Sequence, residues 1–174
     1  WIKGTAHLAG KGRVDVFEGE KQTIDAGDII VATGSSARSL PGIEIDHKRI
    51  ITSDAAIHLA EVPKSLVILG SGAVGVEFAS IFRRFGSEVT IVELLPRLVP
   101  VEDETISAEL EKSFKKQGIA VHTDTKVTRA VASADRVEVE AQLPDGSTAK
   151  LSADYLLVAT GAQLWAPVKV LTEP

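Results

Sequence analysis

The sequence predicts an α/β fold: a Rossmann-like βαβαβ unit with a β-meander behind it, preceded by a partial strand meander. Three observations predict it. Segments 65–69, 88–92 and 119–122 are short apolar runs of strand length. The stretches between them carry helical spacing. Gly70-Ser71-Gly72-Ala73-Val74-Gly75 joins the first run to the first helix. Strand and helix alternating in this way form half of a doubly wound parallel sheet.

The elements follow in order. Segment 13–17 (RVDVF) alternates at period two and reads as a strand. Segment 18–21 (EGEK) is its hairpin turn, and 22–25 is the return. Segment 28–33 (DIIVAT) reads as another short strand, ending at Gly34. Segment 35–42 reads as loop, punctuated by Pro41-Gly42. Ser53 is placed to cap a short helix that Pro63 stops.

The helix after the glycines runs over 73–85, with Val74, Phe78, Ile81, Phe82 and Phe85 as its apolar positions. Gly86 is its stop. A second helix starts at the acids 102–104 and carries Lys112, Lys115 and Lys116 towards its end, matching the macrodipole. Gly118 ends it. Segments 126–132, 136–143 and 147–151 read as a meander, with Asp145-Gly146 as a tight turn. Segment 154–160 (DYLLVAT) is a final strand before Gly161, echoing DIIVATG. Residues 162–174 show no period and read as an irregular tail.

Composition narrows the function classes. The chain has 174 residues, 44% hydrophobic and 25% charged, which suits a globular domain with a sizeable core. A net charge of −5 gives no basic footprint for nucleic acid. No apolar run has the length of a membrane span. There is no cysteine, so no disulfide or thiol chemistry belongs to these residues, and a reducing, cytoplasmic setting is expected. His7, His47, His58 and His122 have no metal-ligand spacing, so no metal site is expected. There is no methionine either, and Trp1 is expected to lie inside a longer natural chain.

The glycine cluster carries the chemistry. A pyrophosphate needs backbone N–H donors and no Cβ in its way, and a helix N-terminus supplies both donors and partial positive charge. In G-x-G-x-x-G the first glycine makes the turn, the second admits the phosphates, and the third lets helix and strand pack. Gly70, Gly72 and Gly75 take those places. Glu93 stands at the end of the second strand, near the ~20-residue offset of a ribose-binding carboxylate. Such a carboxylate repels a 2′-phosphate, which favours NAD over NADP. Arg97, four residues after Glu93, reads as solvated, with a phosphate contact as the alternative that would blur the choice of NAD, and the Arg83-Arg84 pair reads as solvated. Glu77, read as a first-turn acid, is open between a helix-dipole role and a ligand role.

The stretch TSDAAIHLAEVPKSLVILGSGAVGVEFASIFRRFGSEVTIVELLPRLVP resembles the NAD-binding domain of the dihydrolipoamide dehydrogenases, within the FAD-dependent pyridine nucleotide-disulfide oxidoreductase family. The resemblance extends from Ile2 to Gly161 and is specific again at DYLLVATG. It implies that residues 1–34 end an FAD-binding domain, 35–161 form the NAD-binding domain, and 162–174 lie beyond. It implies that Gly70, Ser71, Gly72, Ala73, Val74 and Gly75 hold the NAD pyrophosphate and Glu93 the adenine ribose. It places Glu77 by the nicotinamide and Val127 on the adenine. Gly161 is expected near NAD, where the chain returns towards the flavin. Thr5 and Ala6 are expected at the FAD adenine, and Thr33 and Gly34 near the FAD phosphates.

In such an enzyme dihydrolipoamide reduces a disulfide, and the electrons pass through FAD to NAD⁺. These residues lack the family's FAD fingerprint, its CxxxxC and its C-terminal interface domain with a His-Glu pair. They read Gly161-Ala162-Gln163-Leu164-Trp165 where the family has GRxPN. The expectation is an internal fragment, with no catalytic residue of its own and inactive alone. Its expected partners are NAD(H) and the FAD and interface domains of a homodimeric parent, with no nucleic acid or membrane. Alternatives are the NAD(P)-binding part of a glutathione or mercuric reductase-like enzyme, a non-catalytic nucleotide-binding module, and a structural domain that binds nothing.

Overall fold

The structure, a computed structural model, describes residues 1–19 and 21–164. They form two compact units that part between Gly34 and Ser35.

The first unit is an antiparallel sheet of β1 (Thr5–Gly10), β2 (Arg13–Phe17) and β3 (Gln22–Asp25), in that order. The β2–β3 pairing is the expected hairpin, with Glu20 of its turn outside the described residues. Asp15 accepts from Thr23 Oγ1 at 2.7 Å and pairs with Lys21 at 2.7 Å, bracing β2 against β3. The strand expected over 28–33 is absent. An apolar run becomes a strand only where a neighbouring strand completes its hydrogen bonds. None pairs with it among the described residues, and Ile30 stands 90% exposed.

In the second unit, β4 (Ser35–Ala37) and β5 (Ile50–Ile51) lead into α1 (Ser53–Ala56). Then β6 (Ser65–Leu69), α2 (Ala73–Arg84), β7 (Glu88–Val92), α3 (Glu104–Gln117) and β8 (Ala120–His122) alternate as the sequence predicts. The meander is β9 (Lys126–Ala132), β10 (Val137–Gln142) and β11 (Thr148–Ala153), followed by β12 (Tyr155–Val158) and β13 (Ala162–Leu164). The main sheet is parallel, in the order β5-β12-β6-β7-β8.

Strand alternation divides the core into two layers. Leu66, Ile68, Val89, Ile91 and Leu157 face Ala79 and Phe82 of α2 and Phe114 of α3. Val67, Leu69, Val92, Leu156 and Val158 face Val137, Val139 and Ala141 of the meander. The strands therefore read as continuous apolar runs, because both faces are covered. Each fully buried Leu, Ile or Val contributes about 1.5–3 kcal/mol of transfer free energy.

Several local expectations are corrected. Thr52, not Ser53, occupies the N-cap of α1, and the helix lasts four residues. Segment 35–42 is not all loop, and 162–164 is not irregular: β4 and β13 pair antiparallel as a two-stranded ribbon. Three-residue strands carry too little periodicity to read. Residues 165–174 of the expected tail lie outside the described residues. Phe82 is buried, but Val74, Ile81 and Phe85 of α2 are exposed. The helix turns Gly75, Ala79 and Phe82 inward instead, because close approach to the sheet needs small residues. Arg83 is not merely solvated: Nε donates to Gln117 O at 2.7 Å and Nη1 to Ser87 O, tying α2 to the end of α3.

Candidate functional site

The glycine turn sits where the strand order reverses. From β6 the chain builds outward through β7 and β8, whereas β12 joins on the other side. Open α/β sheets place ligands outside the carboxyl ends of the strands at such a reversal.

Two of the three glycines are fixed by separate steric facts. Gly70 has φ +99°, and a Cβ there would lie 2.6 Å from Ala159 O, just past the end of β12. A Cβ on Gly75 would fall inside contact distance of Gly70 O, so nothing larger fits. Gly72 differs: a Cβ there meets nothing within 4 Å, and its backbone is ordinary extended chain. Gly72 is the N-cap of α2 and offers no side chain to cap it. The first intrahelical bond runs from Val76 N–H to Gly72 O. The N–H groups of Ala73, Val74 and Gly75 therefore have no partner inside the helix and open at its positive end.

Glu93 follows β7 and is 8% exposed. Its backbone is clamped, with N–H donating to His122 O at 2.8 Å and O accepting from Thr125 N–H at 2.9 Å. Its Oε2 accepts from Ser71 N–H at 2.7 Å and Ser71 Oγ–H at 2.8 Å. Its Oε1 accepts from Leu95 N–H at 2.8 Å. The turn and the acid are thus one hydrogen-bonded unit. The sequence suggested their adjacency through the fold but gave no sign of this bonding.

The remaining candidates fall as follows. Gly161, with φ +116°, lies two residues past Ala159, and its carbonyl accepts from Arg38 N–H at 2.9 Å. Val127 is two residues past Thr125 and packs against the meander-side core. Glu77 is exposed and sits beyond the first turn of α2, which contains no acid. Its assignment as a first-turn acid is therefore corrected. The helix begins at Ala73, so a residue four positions on is past the strongest part of the dipole field. In the first unit, Thr5 and Ala6 are exposed on edge strand β1, and Thr33 and Gly34 are exposed outside any strand.

Arg97 is held rather than solvated. Its Nη1 pairs with Glu104 at 2.5 Å, Nη2 donates to Pro100 O at 3.2 Å, and its buried Nε has no partner among the described residues. Sequence reading missed it because its partners come from the loop and helix that follow.

Comparison with known proteins decides the family. The pyridine nucleotide-disulphide oxidoreductase family model matches residues 1–166. The chain belongs to this family. Within it, dihydrolipoyl dehydrogenase 3 of Pseudomonas putida is 45% identical over 164 residues, covering 92% of this chain and 35% of the relative. Dihydrolipoyl dehydrogenase of Chlorobaculum tepidum is 42% identical, covering 91% and 38%. Among solved structures, the HOCl-induced flavoprotein disulfide reductase RclA of Escherichia coli aligns with a TM-score of 0.73 at 31% identity, covering 94% of this chain and 36% of that one. LpdA of Mycobacterium tuberculosis aligns with a TM-score of 0.74 at 27% identity, covering 92% and 35%. The chain spans about a third of the length of these oxidoreductases. Among the described residues, no helix is long and apolar enough to cross a membrane.

Proposed function

We propose that this chain holds NAD(H) for a dihydrolipoyl dehydrogenase-type flavoenzyme. The observation that carries the reading is the open space at Gly72, set between Gly70 and Gly75, where a side chain has no room. That contrast suits a turn packed on one side and accessible on the other. The free amides of Ala73, Val74 and Gly75 suit a pyrophosphate. Glu93 takes the adenine ribose, Val127 lies near the adenine, and Glu77 lies near the nicotinamide. NAD(H) supplies hydride transfer, and the protein's part is to hold and orient it.

The parent's proposed reaction is oxidation of dihydrolipoamide to lipoamide with reduction of NAD⁺ to NADH. In that parent, FAD meets Thr5, Ala6, Thr33 and Gly34, and Gly161 marks the return towards it. The open edge of β1 and the positive φ of Gly34 suit close backbone contact. Residues 1–34 are read as the FAD-domain part and 35–161 as the NAD domain. The parent is read as a homodimer of the cytoplasm. A reductase using NADPH is disfavoured by Glu93, and the two Nη groups of Arg97 are engaged by Glu104 and Pro100 O.

The test is Gly72→Val. The backbone there admits any residue, and a Cβ meets nothing within 4 Å. The variant should melt with the wild type yet lose NADH binding by titration. Unchanged NADH affinity would remove the reading.

A further inference from the structure

Ser71 is 0% exposed, yet it spends every polar group it has on two neighbours. Its N–H and Oγ–H both go to Glu93 Oε2. Its carbonyl accepts from Val99 N–H at 3.0 Å. Val99 is β-branched and sits at φ +40°, a conformation such residues rarely adopt. Ser107 Oγ–H supports the same segment by donating to Leu98 O at 2.6 Å. A strained residue persists where its surroundings over-determine it, and such residues cluster at ligand clamps. The loop between Glu93 and α3 is therefore latched to the glycine turn through one serine.

We propose that Ser71 is a positioning residue for nucleotide choice: its hydroxyl fixes the Glu93 carboxylate so that it accepts a ribose hydroxyl and cannot swing away from a 2′-phosphate. The proposal rests on the NAD(H) reading above. An ionised carboxylate offers about four lone-pair sites. Ser71 fills both on Oε2, and Leu95 N–H fills one on Oε1. One site on Oε1 is left for a donor. A ribose hydroxyl donates to it, whereas a phosphate brings only acceptors and like charge. Discrimination of this kind depends on the carboxylate staying in place, because a mobile acid turns aside. Ser71 thus acts through Glu93 and touches no phosphate itself: both its donors point to the acid.

The test compares NADH and NADPH affinities of the 174-residue chain as wild type and as Ser71→Ala, by nucleotide fluorescence. NADH should weaken by roughly three- to ten-fold, as expected for losing part of one hydrogen bond to a charged group. NADPH should stay level or tighten, so the NADH:NADPH preference falls. A merely structural role would weaken both alike. Ser71→Cys keeps a weaker donor at the same place and should give an intermediate preference, and it carries the comparison if Ser71→Ala unfolds. An unchanged preference in both variants overturns the role of Ser71 and leaves the NAD(H) reading standing. A wild type that binds neither nucleotide overturns both.

Discussion

Asp154 and Ser65 are bonded reciprocally across 89 residues of sequence. Asp154 Oδ2 accepts from Ser65 N–H at 3.2 Å, and Ser65 Oγ accepts from Asp154 N–H at 3.0 Å. The same carboxylate oxygen accepts from Lys64 N–H at 2.7 Å. The pair fixes where β12 enters beside β6, and hence that Ala159 arrives against Gly70. The register of two strand starts thereby sets the geometry of a turn at their far ends.

Asp154→Ala should therefore lower stability by about 1–3 kcal/mol, the range for losing backbone hydrogen bonds to a charged, half-buried carboxylate. Urea unfolding measures it. NADH affinity should also fall, because the slip of β12 reaches Ala159. A variant as stable as wild type would mean that the sheet sets this register without the pair.

Gly75→Ala should differ from Gly72→Val in stability. At Gly75 the added methyl meets the backbone carbonyl of Gly70, so α2 must move off β6. Overpacking of this kind costs typically about 1–3 kcal/mol. The expected result is a clear drop in melting temperature, with nucleotide binding lost as well. Equal melting of Gly75→Ala and wild type would contradict the packing described.

Acid should destabilise the second unit through Asp46. Burial opposes the charge on this carboxyl. The backbone N–H groups of Lys48, Ile50 and Arg49, all bonded to it, outweigh that and hold it below the ordinary value of 3.8. A depressed pKa means the folded state binds the proton less readily than the unfolded one. Its stabilisation is complete above about pH 4 and is lost as the pH falls through the lowered value. In melts taken from pH 5 down to pH 3, Asp46→Asn should lose less stability than wild type. Parallel curves would show that other carboxylates dominate the acid response.

Much of this was legible because the signals are local. The run Ser65–Leu69, the glycines after it and Gly118 after α3 each announce themselves within a few residues. Asp145-Gly146 does the same: Gly146 has φ +83° and closes the turn between β10 and β11. The expectation for 28–33 failed because strand formation depends on a partner that local pattern does not reveal. The outward face of α2 failed for a related reason. Val74, Ile81 and Phe85 have the right spacing, but the demand for close packing at Gly75 sets which stripe turns inward. The bonding of Ser71 to Glu93 spans 22 residues and depends on rotamers, so only the structure contains it.

On this reading the glycine turn holds NAD(H) and Glu93 selects it. Fluorescence titration of the 174-residue chain with NADH, and separately with NADPH, tests it most directly. NADH should bind saturably, with NADPH weaker by roughly ten-fold or more, as a fixed like charge against a 2′-phosphate requires. Equal affinity for the two, or binding of neither, would contradict it.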